Sequence, residues 1–207
     1  MRIDKHWFVV MATLVLPLLL GGTAYADTSY RWDIINRSVS NGVGTVTPGG
    51  PASALANDGS TITVTGSGTF AIGDDEVSGG GTWKTTEADH TTVTGMGNYQ
   101  VVGLVRFEGA PGVQTTGTID TIGDGTLTDN RAGLAFLRIR YDDGSRGILV
   151  VSCDLPGNGP NHIGGAPESM FEGITASKGF TDYWNRVAPT ATVNANRTLF
   201  HILKSGD

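Results

Sequence analysis

Three stretches of the chain repeat one alternation of apolar and polar positions. Residues 64–70 read VTGSGTF, residues 77–83 read VSGGGTW and residues 93–99 read VTGMGNY. Alternate residues of an extended strand point to the same face. Each stretch therefore puts a valine, two glycines and an aromatic ring on one face, and mainly Thr, Ser or Asn on the other. The pattern predicts three strands with a glycine-hollowed apolar face, extended in the first strand by Ile62 and Ile72, and a solvated hydroxyl face.

The paired glycines need a physical reason, because glycine weakens a strand through backbone entropy and lost packing. Three interpretations are open. The glycines are bends where a sheet coils into a barrel, or they make room for an aromatic ring of a neighbouring strand, or they leave space for a ligand. The two structural interpretations are favoured. Under the third, the ligand-binding residues are Phe70, Trp83, Tyr99, Gly68, Gly81 and Gly97. A nucleotide-binding loop is disfavoured, because strand-forming residues rather than a helix follow each Gly-x-Gly.

Further strands are predicted by alternation and composition. They cover residues 30–36, 99–107, 134–141, 146–155, 170–176 and 198–204. In the second of these, Val101, Gly103, Val105 and Phe107 share the apolar face with Tyr99. Residues 180–187 could form at most two helical turns, and no long amphipathic helix is predicted anywhere.

A hairpin is predicted at Asp143-Gly144, because Asp-Gly between strand-like runs is a strong turn signal. A two-residue turn there sets Tyr141 opposite Arg146. The alternative register sets Arg140 opposite Arg146 and is disfavoured, because like charges directly opposite each other destabilise a sheet. The core face then consists of Ala135, Leu137, Ile139, Ile148 and Val150.

Some eight short strands, frequent turns and 31 glycines predict an all-β fold. A single antiparallel β-barrel is preferred, with a β-sandwich as the second choice, because the glycines recur within one strand face after another. No linker divides residues 27–207, which are predicted to form one domain.

The first 26 residues have the pattern of a secretory signal peptide. Arg2 and Lys5 precede a 14-residue apolar run at 7–20, and a small-residue cleavage site ends at Ala26. The run is shorter than the roughly 20 residues that span a bilayer, and Pro17 interrupts it. We therefore expect a secreted or periplasmic protein without a stable membrane anchor.

The net charge and the cysteine count exclude one class of partner and one kind of stabilising bond. A formal net charge of −6 argues against nucleic acid as a partner. Cys153 is the single cysteine, so an intramolecular disulfide is impossible. Its apolar neighbours predict a buried packing residue. The oligomeric state is left open.

The titratable residues are scattered, and neither a metal nor a cofactor is predicted. His90, His162 and His201 lack metal-ligand spacing, and residues 74–76 (DDE) are interpreted as a solvated turn rather than a calcium loop. The Gly- and Pro-rich loop at 156–167 is typical of a functional or disordered segment.

Glu172 is the candidate for acid–base chemistry. It shares strand parity with Met170, Ile174 and Ala176, so it can point into an apolar interior where burial would raise its pKa. Asp154 and a tyrosine, Tyr99 or Tyr141, complete the catalytic candidates. The preferred alternative is structural: the carboxylate faces solvent or pairs with Arg138 or Arg140.

Residues 171–184 (FEGITASKGFTDYW), the three repeats and residues 132–153 together resemble a family of exported bacterial proteins of unassigned function. The resemblance implies export and an all-β fold, and it supplies no catalytic residues. The glycine-rich barrel is also similar in style to allene oxide cyclase and dirigent proteins, which is an analogy of fold alone.

These observations favour a non-enzymatic exported barrel that binds a small or apolar molecule, or that simply packs its interior. The alternative is a barrel cyclase or isomerase of the allene oxide cyclase or dirigent type that uses Glu172 and a tyrosine. A further alternative is a surface interaction module that presents its Thr-rich strand faces and the loop around His162.

Overall fold

The structure is a computed structural model, which describes residues 28–73, 76–112, 118–123, 127–155, 165–167, 169–188 and 196–203. The strands are β1 (Ser29–Ser40), β2 (Val43–Pro48), β3 (Ala52–Leu55), β4 (Thr61–Val64), β5 (Ser67–Ala71), β6 (Val77–Thr86), β7 (Val93–Ala110), β8 (Thr118–Asp120), β9 (Asn130–Tyr141), β10 (Arg146–Cys153), β11 (Gly173–Lys178), β12 (Thr181–Tyr183), β13 (Asn185–Arg186) and β14 (Arg197–Ile202). Among these residues the helical structure is one 3₁₀ turn, Leu127–Asp129. The described residues contain no helix long and apolar enough to cross a membrane.

Six strands close into an antiparallel barrel in the order β1-β5-β6-β7-β9-β14 and back to β1. The predicted all-β fold and antiparallel barrel are confirmed. Strands β10 to β12 continue the sheet beyond β9, and β4, β3 and β13 continue it beyond β6. The β2 strand pairs with β1 and, in parallel, with β8.

The three sequence repeats form β5, β6 and β7, which are neighbours in the barrel. Their register sets aromatic residues opposite glycines: Trp83 opposite Gly97, and Tyr99 opposite Gly81. An added Cβ at Gly68 would lie 2.8 Å from Nε1 of Trp32, and one at Gly95 would lie 3.0 Å from the Trp83 ring. At Gly95 the nearest group is the Trp83 ring, as the ring-seat interpretation predicts. At Gly68 and Gly81 an added Cβ would first overlap a backbone carbonyl of the neighbouring strand, so close approach of the backbones is the tighter constraint there.

Aromatic side chains fill the interior of the barrel. Trp32, Phe70, Tyr99, Tyr141 and Phe200 are each 0–2% exposed. Phe70 lies against Phe107 at a centroid separation of 5.0 Å, and Phe107 against Phe200 at 5.2 Å. Burying one such ring contributes about 1.5–3 kcal/mol, so the interior packing is a main source of stability.

Two β-bulges in β7 alter the predicted alternation. The register against β9 shifts between Val101 and Gly103 and again between Leu104 and Arg106. Val105 is therefore 52% exposed, and Leu104 packs against the core instead. The prediction for Val105 was wrong because each bulge inserts an unpaired residue and reverses the parity. After the second bulge the original phase returns, and Phe107 contacts the core as predicted.

The hairpin between β9 and β10 has a three-residue loop instead of the predicted two-residue turn. The Tyr141 N–H donates to the Ser145 carbonyl at 2.9 Å, and the Gly144 N–H donates to the Tyr141 carbonyl at 3.0 Å. Gly144 has a φ of 88°, so the loop is a type I turn followed by a left-handed residue. As a result Arg140, and not Tyr141, lies opposite Arg146.

This shift of one residue changes the core face of β10. Leu149, Val151 and Cys153 belong to the core, and the half-buried Ile148 lies on the opposite face, paired with Arg138. The prediction that Ile148 and Val150 share the face of Leu137 was wrong, because a one-residue slip moves every side chain to the other side of a sheet. Val150 is still buried, at 4% exposure, but on that other side. Cys153 is fully buried, and its predicted packing role is confirmed.

Some predictions fall at or beyond the ends of the described elements. Ile72 is 43% exposed, because β5 ends at Ala71. Residues 180–187 contain the short strands β12 and β13 rather than a helix. The signal-peptide residues 1–26, the acidic pair at 74–75, His162 and most of the loop at 156–167 lie outside the described residues.

Candidate functional site

The predicted ligand-binding aromatic residues lie in the packed core. Phe70 is 1% exposed, Tyr99 is 2% exposed and Trp83 is 5% exposed. The Tyr99 hydroxyl donates to the Thr65 carbonyl at 2.9 Å, so its polar atom is engaged within the barrel wall. The glycines beside these rings bring strand backbones close together: an added Cβ at Gly81 would overlap the Thr65 carbonyl, and one at Gly68 the Ser78 carbonyl.

Trp83 is held at one end of the core by a polar cap. Its Nε1–H donates to Asp142 Oδ1 at 3.0 Å, and Asp142 Oδ2 accepts the Asn98 N–H at 2.7 Å. The Lys178 ammonium lies 4.1 Å from the centroid of the Trp83 ring. Gly97 is seated beneath this cap, because an added Cβ would overlap the Asp142 carboxylate. The Asn98 and Trp83 hydrogen bonds hold the pKa of Asp142 below its ordinary value.

Glu172 is buried at the other end of the barrel, immediately before β11. It is 9% exposed, and its two carboxylate oxygens accept different backbone N–H groups. Oε2 accepts from Asp154 at 2.7 Å, and Oε1 accepts from Thr198 at 2.6 Å. Glu172 thereby links β11 to the end of β10 and the start of β14. Arg138 and Arg140, the predicted ion-pair partners, are both exposed on β9.

Burial raises the pKa of Glu172 to about 8, against the lowering effect of its two backbone hydrogen bonds and of Arg197. The Asp154 carboxylate adds a smaller raising effect. Burial and the nearby Glu172 also raise the pKa of the Cys153 thiol well above its ordinary value. A carboxyl group with such a pKa can hold or release a proton near neutral pH.

The catalytic candidates do not all come together. Asp154 lies beside Glu172, as its N–H bond shows. Tyr141 is at the opposite end of β9 from Gly133, which pairs with Cys153, and the eight intervening steps span roughly 26 Å. Tyr99 pairs with Tyr141, so both tyrosines are remote from the carboxyl group. Their hydroxyls donate to the Thr65 and Ser177 carbonyls, and burial raises both pKa values.

A buried histidine–aspartate pair was missed by the sequence analysis. His201 Nε2 lies 2.9 Å from Asp120 Oδ2, with both residues buried. The two residues are 81 positions apart, and neither lies in a recognisable motif. The one sequence signal for His201 is that this polar residue directly follows the apolar residues Leu199 and Phe200 of β14.

The outer face of β3 to β6 carries paired hydroxyl groups. Thr65 and Thr82 are joined at 2.7 Å, Thr69 and Ser78 at 2.8 Å, and Ser53 and Thr63 at 2.8 Å. We call this surface the hydroxyl face. In the first two repeats, the predicted hydroxyl side is thus an array in which threonine and serine side chains are bonded across neighbouring strands. Thr94 of the third repeat donates instead to Thr85, which is buried on the Trp83 side of β6.

A groove of about 420 Å³ opens on the hydroxyl face. Ser53, Thr61, Thr63, Lys84 and His90 line it. The Thr61 hydroxyl lies 2.8 Å from His90 Nδ1. His90 has a φ of 58°, in the left-handed region that costs a non-glycine residue free energy and that often occurs at ligand sites.

Comparisons with known protein families, with curated proteins and with solved structures give no match to this chain. Within the described residues, no three His, Cys, Asp or Glu side chains form a group that could hold a metal ion.

Proposed function

We propose that the protein is an exported, non-enzymatic β-barrel that binds a small ligand in the groove of the hydroxyl face. The observation that carries this proposal is the polar groove on the outer surface of the sheet, and the filled interior is the reason for placing the ligand outside the barrel. Trp32, Phe70 and Phe200 are each no more than 1% exposed, and the glycines that could have left space are occupied by neighbouring rings and backbone. The ligand site of this proposal is accordingly on the outside of the barrel.

The chemistry of the groove favours a neutral polyhydroxylated ligand such as a saccharide. Hydroxyl groups act as both donors and acceptors, and here Ser53 and Thr63 already hold each other in place at 2.8 Å. Leu55 and Val187 add apolar surface to the lining, as in small-molecule sites that combine apolar walls with a few placed polar groups.

The proposal is tested by titrating neutral oligosaccharides into the protein and following backbone amide resonances. Saturable shifts are expected around Thr63 and His90. Thr63→Val removes a groove hydroxyl, and Thr65→Val is the matched control, because Thr65 belongs to the same kind of hydroxyl pair outside the groove. Affinity should fall about tenfold in the first variant and change less than about twofold in the second. Absence of saturable binding, or equal losses in both variants, would refute the proposal.

Export is part of the same proposal and rests on the pattern of residues 1–26. Protein recovered from the medium or the periplasm should begin at Asp27 or within a residue or two of it. Edman sequencing or intact mass measurement checks this, and recovery of an intact Met1 in a membrane fraction would contradict it.

A second candidate function is acid–base catalysis by Glu172, which its pKa of about 8 supports. The positions of Tyr99 and Tyr141 count against the tyrosine-assisted cyclase or isomerase, since both hydroxyls are bonded at the far end of the barrel. Substitution of Glu172 by Gln, with stability measured on both sides of its pKa, separates a catalytic from a structural role.

A further inference from the structure

Three arginines lie close together on the outer face of the barrel. Arg140 on β9 is directly opposite Arg146 on β10, and Arg138 is two positions from Arg140 on the same face. All three are exposed. They line a groove of about 520 Å³ together with Val102, Ile148 and Ser177. This arginine groove lies on β7, β9 and β10, away from the hydroxyl-face groove of β3, β4 and β6.

None of the three groove arginines forms an ion pair with a described carboxylate. The four ion pairs among the described residues involve Arg31, Arg106, Lys178 and His201 instead. Arg140 donates to the neutral Gln100 side chain at 3.2 Å. The chain as a whole has 20 acidic and 14 basic residues, so three neighbouring arginines that form no ion pair with the described carboxylates stand out against its composition.

This arrangement has a cost in stability. Like charges directly opposite each other on paired strands are destabilising, and Arg140 and Arg146 occupy such positions. The cost is moderate, because both side chains reach solvent. A bound anion between them would convert the repulsion into two attractions.

The geometry suits an oxyanion attached to a small apolar group. Guanidinium groups present planar pairs of N–H donors that match carboxylate, sulfate and phosphate oxygens. Ser177 Oγ accepts the Ile148 N–H at 3.0 Å, so its hydroxyl hydrogen is directed elsewhere and can be donated. Val102, which is 53% exposed, and Ile148 provide an apolar wall for the body of the ligand.

We propose that the groove formed by Arg138, Arg140 and Arg146 is a binding site for a small organic oxyanion, recognised through its carboxylate, sulfate or phosphate group. The site is independent of the saccharide groove proposed above, so either proposal can fail without the other.

The experiment is an amide-resonance titration of the full mature chain with benzoate, phenyl sulfate and phenyl phosphate in separate arms, and with phenol as the uncharged probe. At least one anion should give saturable shifts at Gly147 and Ile148 with a Kd below about 10 mM at low salt, and phenol should not. The arm that binds most tightly identifies the oxyanion. Shifts of the same size with phenol, or no saturation with any anion, would overturn the proposal.

Matched variants separate recognition from general charge effects. Arg140→Gln and Arg146→Gln should each weaken anion binding at least about tenfold. Arg106→Gln is the control, because Arg106 is also exposed but pairs with Glu108, and it should weaken binding less than about twofold. Equal weakening in all three variants would show that binding depends on the overall charge of the protein and not on the groove, and would refute the site.

Stability provides a second readout. Without ligand and at low salt, Arg146→Gln should melt at the same temperature as the parent or higher, since the repulsion with Arg140 is removed. A millimolar excess of the anion should raise the melting temperature of the parent but not of the variant. A variant that is less stable than the parent and is still stabilised by the anion would contradict the proposal.

Discussion

The Nε2 atom of His201 on β14 lies 2.9 Å from Oδ2 of Asp120 on β8. This contact fastens an outer strand to the wall of the barrel. Oδ1 of the same carboxylate accepts the Ile122 N–H at 2.9 Å, and Ile122 is itself 1% exposed. The pair therefore positions β8 and the buried Ile122 that follows it against the barrel wall.

The first prediction concerns this pair. Burial acts to raise the pKa of Asp120, but hydrogen bonds from His201 and Ile122 outweigh it, and the pKa lies below its ordinary value of 3.8. A lowered folded-state pKa stabilises the fold above about pH 4, and this contribution is lost as the pH falls through the folded value. Asp120→Asn should therefore destabilise the protein by about 1–3 kcal/mol at neutral pH, and by less as the pH approaches 3.

Urea melts of parent and variant at neutral pH and at about pH 4 and pH 3 measure this difference. Asp182→Asn on the exposed side of β12 controls for the loss of one negative charge. A deficit for Asp120→Asn that stays constant across this range would contradict the assigned role of the carboxylate.

The second prediction concerns the repeat glycines. Gly68→Ala and Gly81→Ala should each cost about 1–3 kcal/mol or more, because the new methyl group overlaps backbone atoms of the next strand. Gly97→Ala should cost less, since it displaces only the Asp142 side chain. Gly103→Ala is the control: its methyl group would be 3.7 Å from the nearest atom, on Arg138.

Thermal melts of these four variants give the comparison. The expected order of loss places Gly68 and Gly81 first, Gly97 next and Gly103 last. If Gly103→Ala lowers the melting temperature as much as Gly68→Ala, close packing of rings and backbone against the glycines does not explain the loss of stability.

The third prediction tests the bulges of β7. Leu104→Ala should destabilise the protein by about 1–3 kcal/mol, because Leu104 packs against the core. Val105→Ala should change stability by no more than about 0.5 kcal/mol, because Val105 is 52% exposed. Regular alternation would give the reverse order, so denaturant melts of this pair distinguish the bulged from the unbulged strand.

The fourth prediction concerns Glu172. Its pKa rises from an ordinary 4.5 to about 8 in the folded chain, so the parent loses stability as the pH rises between these values, by at most about 4–5 kcal/mol. Glu172→Gln cannot ionise and lacks this loss. Near pH 5 the neutral acid and the amide can each accept one N–H bond well, so their stabilities should agree within about 1 kcal/mol.

At about pH 9, then, Glu172→Gln should be more stable than the parent. Urea melts at the two pH values decide this, with the exposed Glu87→Gln as control. A variant that is less stable than the parent at the higher pH would show that the ionised carboxylate is a structural acceptor for Asp154 and Thr198, and would end the case for proton transfer.

The sequence by itself determined the strand faces of the repeats. Valine, glycine and aromatic residues alternate with hydroxyl residues, and this local period of two is enough to predict the buried rings of Phe70 and Trp83 and the outward direction of Thr69 and Thr82. It failed at Val93, which is 44% exposed where the register between β6 and β7 shifts. The repetition of glycine favoured a barrel over a sandwich, but the strand number differed: about eight were predicted, and six of the fourteen described strands close the barrel.

For Glu172, the sequence offered burial as one interpretation and preferred a carboxylate that faces solvent or pairs with an arginine, and this preference was wrong. The residue lies just before β11 rather than within a strand, and its carboxylate is buried on two backbone N–H groups.

Only the tertiary structure decided the registers and the long-range pairs. A bulge or one extra loop residue reverses which side chains face the core, as at Leu104 and at Ile148, and neither leaves a local signal in the alternation. His201 meets Asp120 across 81 positions because β8 joins the sheet through β2. Such pairs depend on which strands become neighbours, and that is set by the packing of the whole barrel rather than by any short stretch of chain.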